Sequence, residues 1–154
     1  MKKFLFSAAC VTMLFAACKK SDNNSNKSGL GNNQFKVGNT TYSDVFLSST
    51  FGFLSAVSPT GGSLQFRFNQ DILPATTGTF KVVVNPDAND EIQIIALSNV
   101  GGTTKAYTAG YVSGQNATVT VTGGKFKLQF DNVSARNQLD STETVPVSAN
   151  ISQD

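Results

Sequence analysis

Asn85-Pro86-Asp87-Ala88-Asn89-Asp90-Glu91 is the densest polar run in the chain. Asp87, Asn89 and Glu91 alternate along it, and hard oxygen ligands spaced in this way can converge on calcium. Ile92 stands where an EF-hand loop needs its sharp-turn glycine, so that motif is excluded. The same residues make a polar hairpin turn in which Asn and Asp bond their own backbone. The turn is the expected role, the metal site the weaker candidate, and no cofactor is expected. Asp44, Asp71, Asp87, Asp90, Glu91, Asp131 and Asp140 offer carboxylates, of which a glycosidase would need two about 5–10 Å apart. No spacing singles out a pair, and all but Asp44 fall at expected turns or strand ends. The chain has no His, which removes Ser-His-Asp and Cys-His catalysis and imidazole-bound zinc. The glycine pairs fit neither G-x-G-x-x-G nor a P-loop. These residues point to a protein that is not an enzyme.

Binding without catalysis is the open alternative. Carbohydrate recognition usually uses exposed aromatic rings, and with Trp absent the candidates are Tyr42, Tyr107 and Tyr111. Tyr107 and Tyr111 are four apart, so they would share one face of an unbroken strand. Ala109-Gly110 between them argues for a bend instead.

The N-terminus reads as an address. Met1-Lys2-Lys3 is basic, and Phe4 to Phe15 carries no charge. That stretch falls short of the about 20 residues that span a bilayer but suits a signal-peptide core. Ala16-Ala17-Cys18 then resembles a bacterial lipobox, whose cysteine receives a diacylglycerol before the peptide is cut. Cys18 is therefore the expected lipidation site, with residues 1–17 as signal peptide and the membrane as a partner through the lipid. Cleavage there removes Lys2 and Lys3 and leaves basic and acidic side chains in balance. Charge then gives no support to nucleic-acid binding. With Cys10 discarded and Cys18 lipidated, the mature domain has neither disulfide nor thiol nucleophile.

Residues 18–33 form a polar stretch whose only apolar side chain is Leu30, too little buried surface to offset ordering, so a disordered tether is expected. From Phe35 onward the period becomes two. Leu64, Phe66 and Phe68 alternate with Gln65 and Arg67, as do Phe126, Leu128 and Phe130 with Lys127 and Gln129. Phe80 to Val84 and Ile92 to Leu97 are apolar on both faces, which predicts covered central strands. Glycine, Asn and Pro punctuate the runs, and Val121-Thr122-Gly123-Gly124-Lys125-Phe126 is the clearest hairpin. The pattern predicts about nine strands, near 34–38, 40–48, 51–57, 63–69, 79–84, 91–98, 103–110, 116–122 and 125–133. A tenth near 143–151 would be confined to a sheet edge by Pro146. No stretch keeps a helical period. The expected fold is all-β, an antiparallel β-sandwich or flattened barrel over residues 34–154.

The layout is similar to small Bacteroidetes lipoproteins of unknown function. The lipobox at Cys18, the tether, an early Phe35–Tyr42 hairpin and the Pro74–Phe80 lead into a strand carry the likeness. Lys19-Lys20-Ser21-Asp22 resembles part of their surface-export signal, and Asp140-Ser141-Thr142 their short O-glycosylation pattern. The resemblance implies an outer-membrane, lipid-anchored protein, at the periplasmic face or the cell surface. It supplies no catalytic residues. The expected function is a non-enzymatic binding or envelope-assembly module, with another envelope protein or a glycan as partner. The alternative is a carbohydrate-binding accessory of a glycan-uptake system.

Overall fold

A computed structural model describes residues 29–154 apart from Gly101; the signal segment and Cys18 lie outside the described residues. The chain forms eleven strands and one tight turn at Asn69–Asp71. The first five strands are β1 (Gln34–Val37), β2 (Thr40–Tyr42), β3 (Phe46–Thr50), β4 (Phe53–Val57) and β5 (Ser63–Phe68). Then come β6 (Gly78–Val82), β7 (Glu91–Val100) and β8 (Thr103–Ala109). The last three are β9 (Asn116–Thr122), β10 (Lys125–Asn137) and β11 (Thr144–Ser152). The protein is all-β.

Five of the strands close on themselves. β7 pairs with β6, β6 with β9, β9 with β10, and β8 joins β10 back to β7, which makes a small barrel. The β6–β7 pairing, at Lys81↔Glu91 and Val82↔Ile92, is parallel, and the other pairings are antiparallel. From β7 the sheet continues outward through β5, β4 and β3; from β10 it continues through β11, β1 and β2.

β10 makes this closure possible by bending. Its first half, Lys125–Gln129, pairs with β9, and its second half, Ala135–Asn137, pairs with β8. Between them the register against β11 slips after Phe130, with Asp131 and Asn132 facing the single residue Ser148. Such a bulge inserts one residue and sharpens the local twist. Asn132 takes φ 50°, its N–H donates to Ser148 Oγ at 2.9 Å, and that hydroxyl lies 3.1 Å from Asp131 Oδ1.

The period-two pattern fills the core. Phe66 is fully buried, with its ring edge to face on Phe130 at 6.1 Å, and Phe68 meets Phe80 likewise at 5.4 Å. These contacts tie the β3–β4–β5 wing to the barrel strands. Burying each such side chain contributes about 1.5–3 kcal/mol. The β9–β10 hairpin forms as expected: Thr122 pairs with Lys125, and Gly123 and Gly124 take φ 59° and 77°. Positive φ at both central residues is what a two-residue hairpin matching the strand twist requires.

Three sequence expectations are corrected. The run 40–48 is two strands, because Tyr42 and Val45 are both buried and sit three apart, which no single strand face allows. Asp44, at φ 54°, turns the chain between them. The strand near 143–151 is not at an edge: β11 lies between β1 and β10. The Pro146 carbonyl accepts the Gly38 N–H at 2.8 Å, so its missing donor faces the β1 side, where the ladder has ended at Val37↔Val147. No β10 bond is lost. Lastly, β6 and β7 are covered on one face only; Lys81 is exposed and Leu97 is 38% exposed.

Candidate functional site

A dense cluster of polar groups lies where β8 meets the end of β10. Alternation along β8 puts Lys105 and Tyr107 on one face, and the β8–β10 register sets Tyr107 opposite Asn137. A tight connection then returns the chain to Glu143, just before β11. Asn137 Oδ1 accepts the N–H of Leu139 at 2.8 Å, and Asp140 Oδ1 accepts the N–H and hydroxyl of Thr142 at 3.0 and 2.6 Å. The Asn137 N–H closes the loop on the Glu143 carbonyl at 2.9 Å. Self-bonded Asn and Asp side chains of this kind are what build short irregular connections.

Glu143 is the hub. Its Oε1 accepts from Lys105 Nζ and the Tyr107 hydroxyl, both at 2.9 Å. Its Oε2 accepts from Lys105 Nζ at 2.9 Å and Asn137 Nδ2 at 2.6 Å. Lys105 first, then Asn137 and Tyr107, hold the Glu143 carboxyl below its ordinary value. Tyr107 is shifted the other way. Burial of its ring, followed by the bond to Glu143, pushes the phenol up to about 12. At neutral pH the Glu143 carboxyl is therefore ionised and the Tyr107 phenol neutral.

These groups form one wall of a cavity of about 420 Å³. Thr40 and Asn39 of the β1–β2 hairpin, Thr103 of β8 and Ser98 of β7 provide further polar lining, and Val37 and Val145 are apolar. Four donor contacts surround the carboxylate, which leaves it poorly placed to take a proton from a substrate. Lys105 and the hydroxyls can still bond a guest. The arrangement suits recognition of a small, uncharged polar group better than proton transfer. A second cavity of about 480 Å³ lies under the 69–78 connection, between Ile72, Pro74, Phe68 and Phe80.

The tyrosines named from the sequence do not form one platform. Tyr42 is 2% exposed and stacked on Phe35 at 4.7 Å; its hydroxyl bonds Ser98 Oγ at 2.8 Å and accepts the Asn99 N–H at 3.1 Å. It is a core residue that presents no ring face to solvent. Tyr107 lines the cavity but is only 5% exposed, and its hydroxyl is bonded to Glu143. Tyr111 is exposed, but the Arg136 guanidinium lies over its ring, 3.4 Å from the centroid. β8 ends at Ala109, and Gly110 at φ 101° turns the chain, so Tyr107 and Tyr111 share no strand face.

The Asn85–Glu91 segment takes a turn conformation. Glu91 Oε2 accepts the N–H groups of Asp87 and Ala88 at 2.9 and 3.2 Å, and these bonds hold its carboxyl below the ordinary value. Asn89 accepts from Asn69 Nδ2 at 3.3 Å, and Asp90 pairs with Lys81 at 2.9 Å. Asp87, Asn89 and Glu91 thus do not aim their oxygens at one point. Among the described residues no three His, Cys, Asp or Glu side chains gather to hold a metal, and no helix is long and apolar enough to cross a membrane.

Sequence reasoning passed over Lys105, Asn137 and Glu143. The only local signal was Lys105 two residues before Tyr107, which on a strand places both on one face. Compared with known proteins, the chain matches no protein-family profile, no curated protein and no solved structure.

Proposed function

We propose that this protein is an outer-membrane, lipid-anchored module, held by Cys18, that binds a ligand or an envelope partner without catalysing a reaction. The observation that carries the binding reading is the state of Glu143. Its carboxylate, which lines the cavity, is tied to the side chains of Lys105, Tyr107 and Asn137, which fixes a wall for recognition and leaves this acid poorly placed as a general base. The anchor rests on the sequence alone. A lipoprotein cysteine carries at least two acyl chains, and two hydrophobic signals give stable attachment where one does not. The expected tether over residues 18–33 is shorter than that range, because Asn150 Nδ2 donates to the Gly31 carbonyl, Ser152 N–H to Asn33 Oδ1 and Val45 N–H to the Asn33 carbonyl. The roughly 12 residues before them would have a root-mean-square reach of about 17–21 Å.

Fractionation of cells tests the anchor. The parent chain should partition with the outer membrane and resist salt washing, while Cys18→Ser should be extracytoplasmic, soluble and folded. Mass spectrometry finding an unmodified Cys18, or release of the parent by salt alone, would overturn it.

A second reading, a carbohydrate-binding accessory of a glycan-uptake system, is favoured by the hydroxyl and amide lining of the cavity at Thr40, Asn39, Thr103 and Tyr107. Tyr107→Phe should weaken glycan binding there if that cavity is the site.

A further inference from the structure

The β7–β5–β4–β3 run of the sheet ends at β3, and among the described residues no strand pairs with the far side of β3. Phe51 at φ 45° and Gly52 at φ 84° make a two-residue hairpin that closes Thr50 on Phe53. Hydrogen-bonded pairs alternate from there, so Thr50–Phe53, Ser48–Ser55 and Phe46–Val57 exchange the β3–β4 bonds. The Ser58 N–H donates to the Gly62 carbonyl at 2.9 Å, which turns the even residues of β4 toward β5 and agrees with that phase. Leu47 and Ser49 therefore point their N–H and C=O groups away from β4, to the open edge.

Backbone donors and acceptors at strand spacing require another extended strand, and three features select a second copy of β3. First, edges that stay unpaired carry Lys, Pro or a bulge. β3 and β4 hold no charged residue and no Pro, and the register between them is unbroken. Second, a two-fold axis through Ser48 sets Leu47 opposite Ser49 of the second copy, which uses both open N–H groups and both open carbonyls of each strand. Sliding by one pair would bring up Val45, whose N–H already donates to the Asn33 carbonyl at 3.1 Å, or Phe51, whose φ takes it out of the strand. Third, no like charges oppose in this register, since Phe46 meets Thr50 and Ser48 meets Ser48. The opposite end of the sheet, β2, is only three residues long.

Area sets the strength of the pairing. The five residues of β3 span about 17 Å, and a sheet with its side chains is about 10 Å thick, which gives roughly 170 Å² of edge. Phe46 and Phe51, 67 and 93% exposed, add at most about 400 Å². The total stays below the about 800 Å² that a stable dimer buries on each partner, so the pairing is weak, with a dissociation constant near millimolar.

We propose that β3 is a self-pairing edge, through which two copies of the chain join antiparallel about Ser48 into one continuous sheet. This goes beyond the reading above and needs neither the anchor nor the Tyr107 cavity. The test is oxidative cross-linking in a Cys10→Ser, Cys18→Ser full chain, which holds no other cysteine, in non-ionic detergent near millimolar concentration. At the axis the two Ser48 Cα atoms would lie about 4.5 Å apart, within disulfide reach. Thr50 lies opposite Phe46, about 14 Å along the strand from Thr50 of the second copy and out of reach. Ser48→Cys should give a disulfide-linked dimer at least tenfold faster than Thr50→Cys, although Thr50 is the more exposed. Ser49→Pro removes an edge N–H without touching the β4 ladder, and Ser49→Lys puts a charge there. Each, added to Ser48→Cys, should slow the linkage to the Thr50→Cys rate. Equal rates at the two positions, or faster linkage of Thr50→Cys, would show random collision and overturn the pairing. So would no dimer from either, or a Ser48→Cys rate that both Ser49 variants leave unchanged. If Ser48→Cys stays monomeric while a synthetic peptide of the β4 sequence protects its thiol, the edge takes a foreign strand and the second copy is overturned.

Discussion

Gly110→Ala separates backbone strain from backbone collision. Gly110 adopts φ 101°, a conformation that L side chains rarely take, and a Cβ there would lie 2.5 Å from Val83 Cα and Val84 N and nearer still to the Val83 carbonyl carbon. The obstructing segment cannot yield freely. The Val82 N–H donates to Gln115 O at 2.9 Å, the Val83 N–H to Ile92 O at 3.0 Å, and the Gln93 side-chain amide to the Val84 carbonyl. The unfavourable φ costs about 1–3 kcal/mol. Relieving an overlap more than 1 Å inside normal contact breaks one or two of those bonds, at about 1–3 kcal/mol for each buried group left unpaired. The sum is about 2–9 kcal/mol, at roughly 3–5 °C of Tm per kcal/mol for a domain of this size. Gly114→Ala is the control. It has φ 80° but no atom within 4 Å of the new Cβ, so only the conformational cost applies, about 1–2 kcal/mol. Trp is absent, so far-UV circular dichroism is the suitable measure of thermal unfolding. Equal losses of Tm in the two variants would refute the proposed contact between the β8–β9 connection and Val83–Val84.

Four further outcomes are expected. Glu143 and Asp140 are held below their ordinary values, so the stability they supply is present above about pH 4.5 and lost as pH falls through their lower folded values. Tm should therefore decline on the acid side, more shallowly in Glu143→Gln. Tyr107, pushed up to about 12, supplies stability that is full below pH 10 and lost as pH rises from there through 12. Phenolate absorbance should accordingly show a late ionisation that Tyr107→Phe removes. Tyr42→Phe leaves the buried Ser98 hydroxyl and the Asn99 N–H without their partner and should cost about 1–3 kcal/mol in chemical denaturation. A chelator should leave Tm unchanged, and a drop of several degrees that Asp87→Ala abolishes would restore the calcium site at Asp87, Asn89 and Glu91.

Signals confined to a few residues were legible. Gly123-Gly124 announced its hairpin because two adjacent positive φ angles are a local demand, and Phe66, Phe68 and Phe126 announced their buried face because strand alternation is local. Three of the nine Phe after residue 34 lie outside the core: Phe46 and Phe51 are exposed, and Phe53 is half-buried. Periodicity assigns a residue to a face of the sheet, and only the packing of the wing against the barrel decides which face is covered. Tyr42 misled for the same reason. It reads in the sequence as a candidate exposed ring, whereas Ser98 and the Asn99 N–H, far along the chain, supply buried partners for its hydroxyl.

The cluster around Glu143 was illegible because long-range pairing assembles it. Lys105 and Tyr107 meet Asn137 only where β8 pairs with the second half of β10, beyond the bulge at Asp131–Asn132. That bulge does leave a trace. Buried side chains fall on even positions at Phe126, Leu128 and Phe130, then on odd positions at Val133 and Ala135. A strand cannot change parity without an inserted residue, since each one-residue slip exchanges its two faces. Carried past residue 133, the same alternation that found the strand predicts the insertion and the bend. Which strand pairs with the second half of β10, and so brings Lys105 and Tyr107 to Asn137 and Glu143, is long-range information that no local period carries.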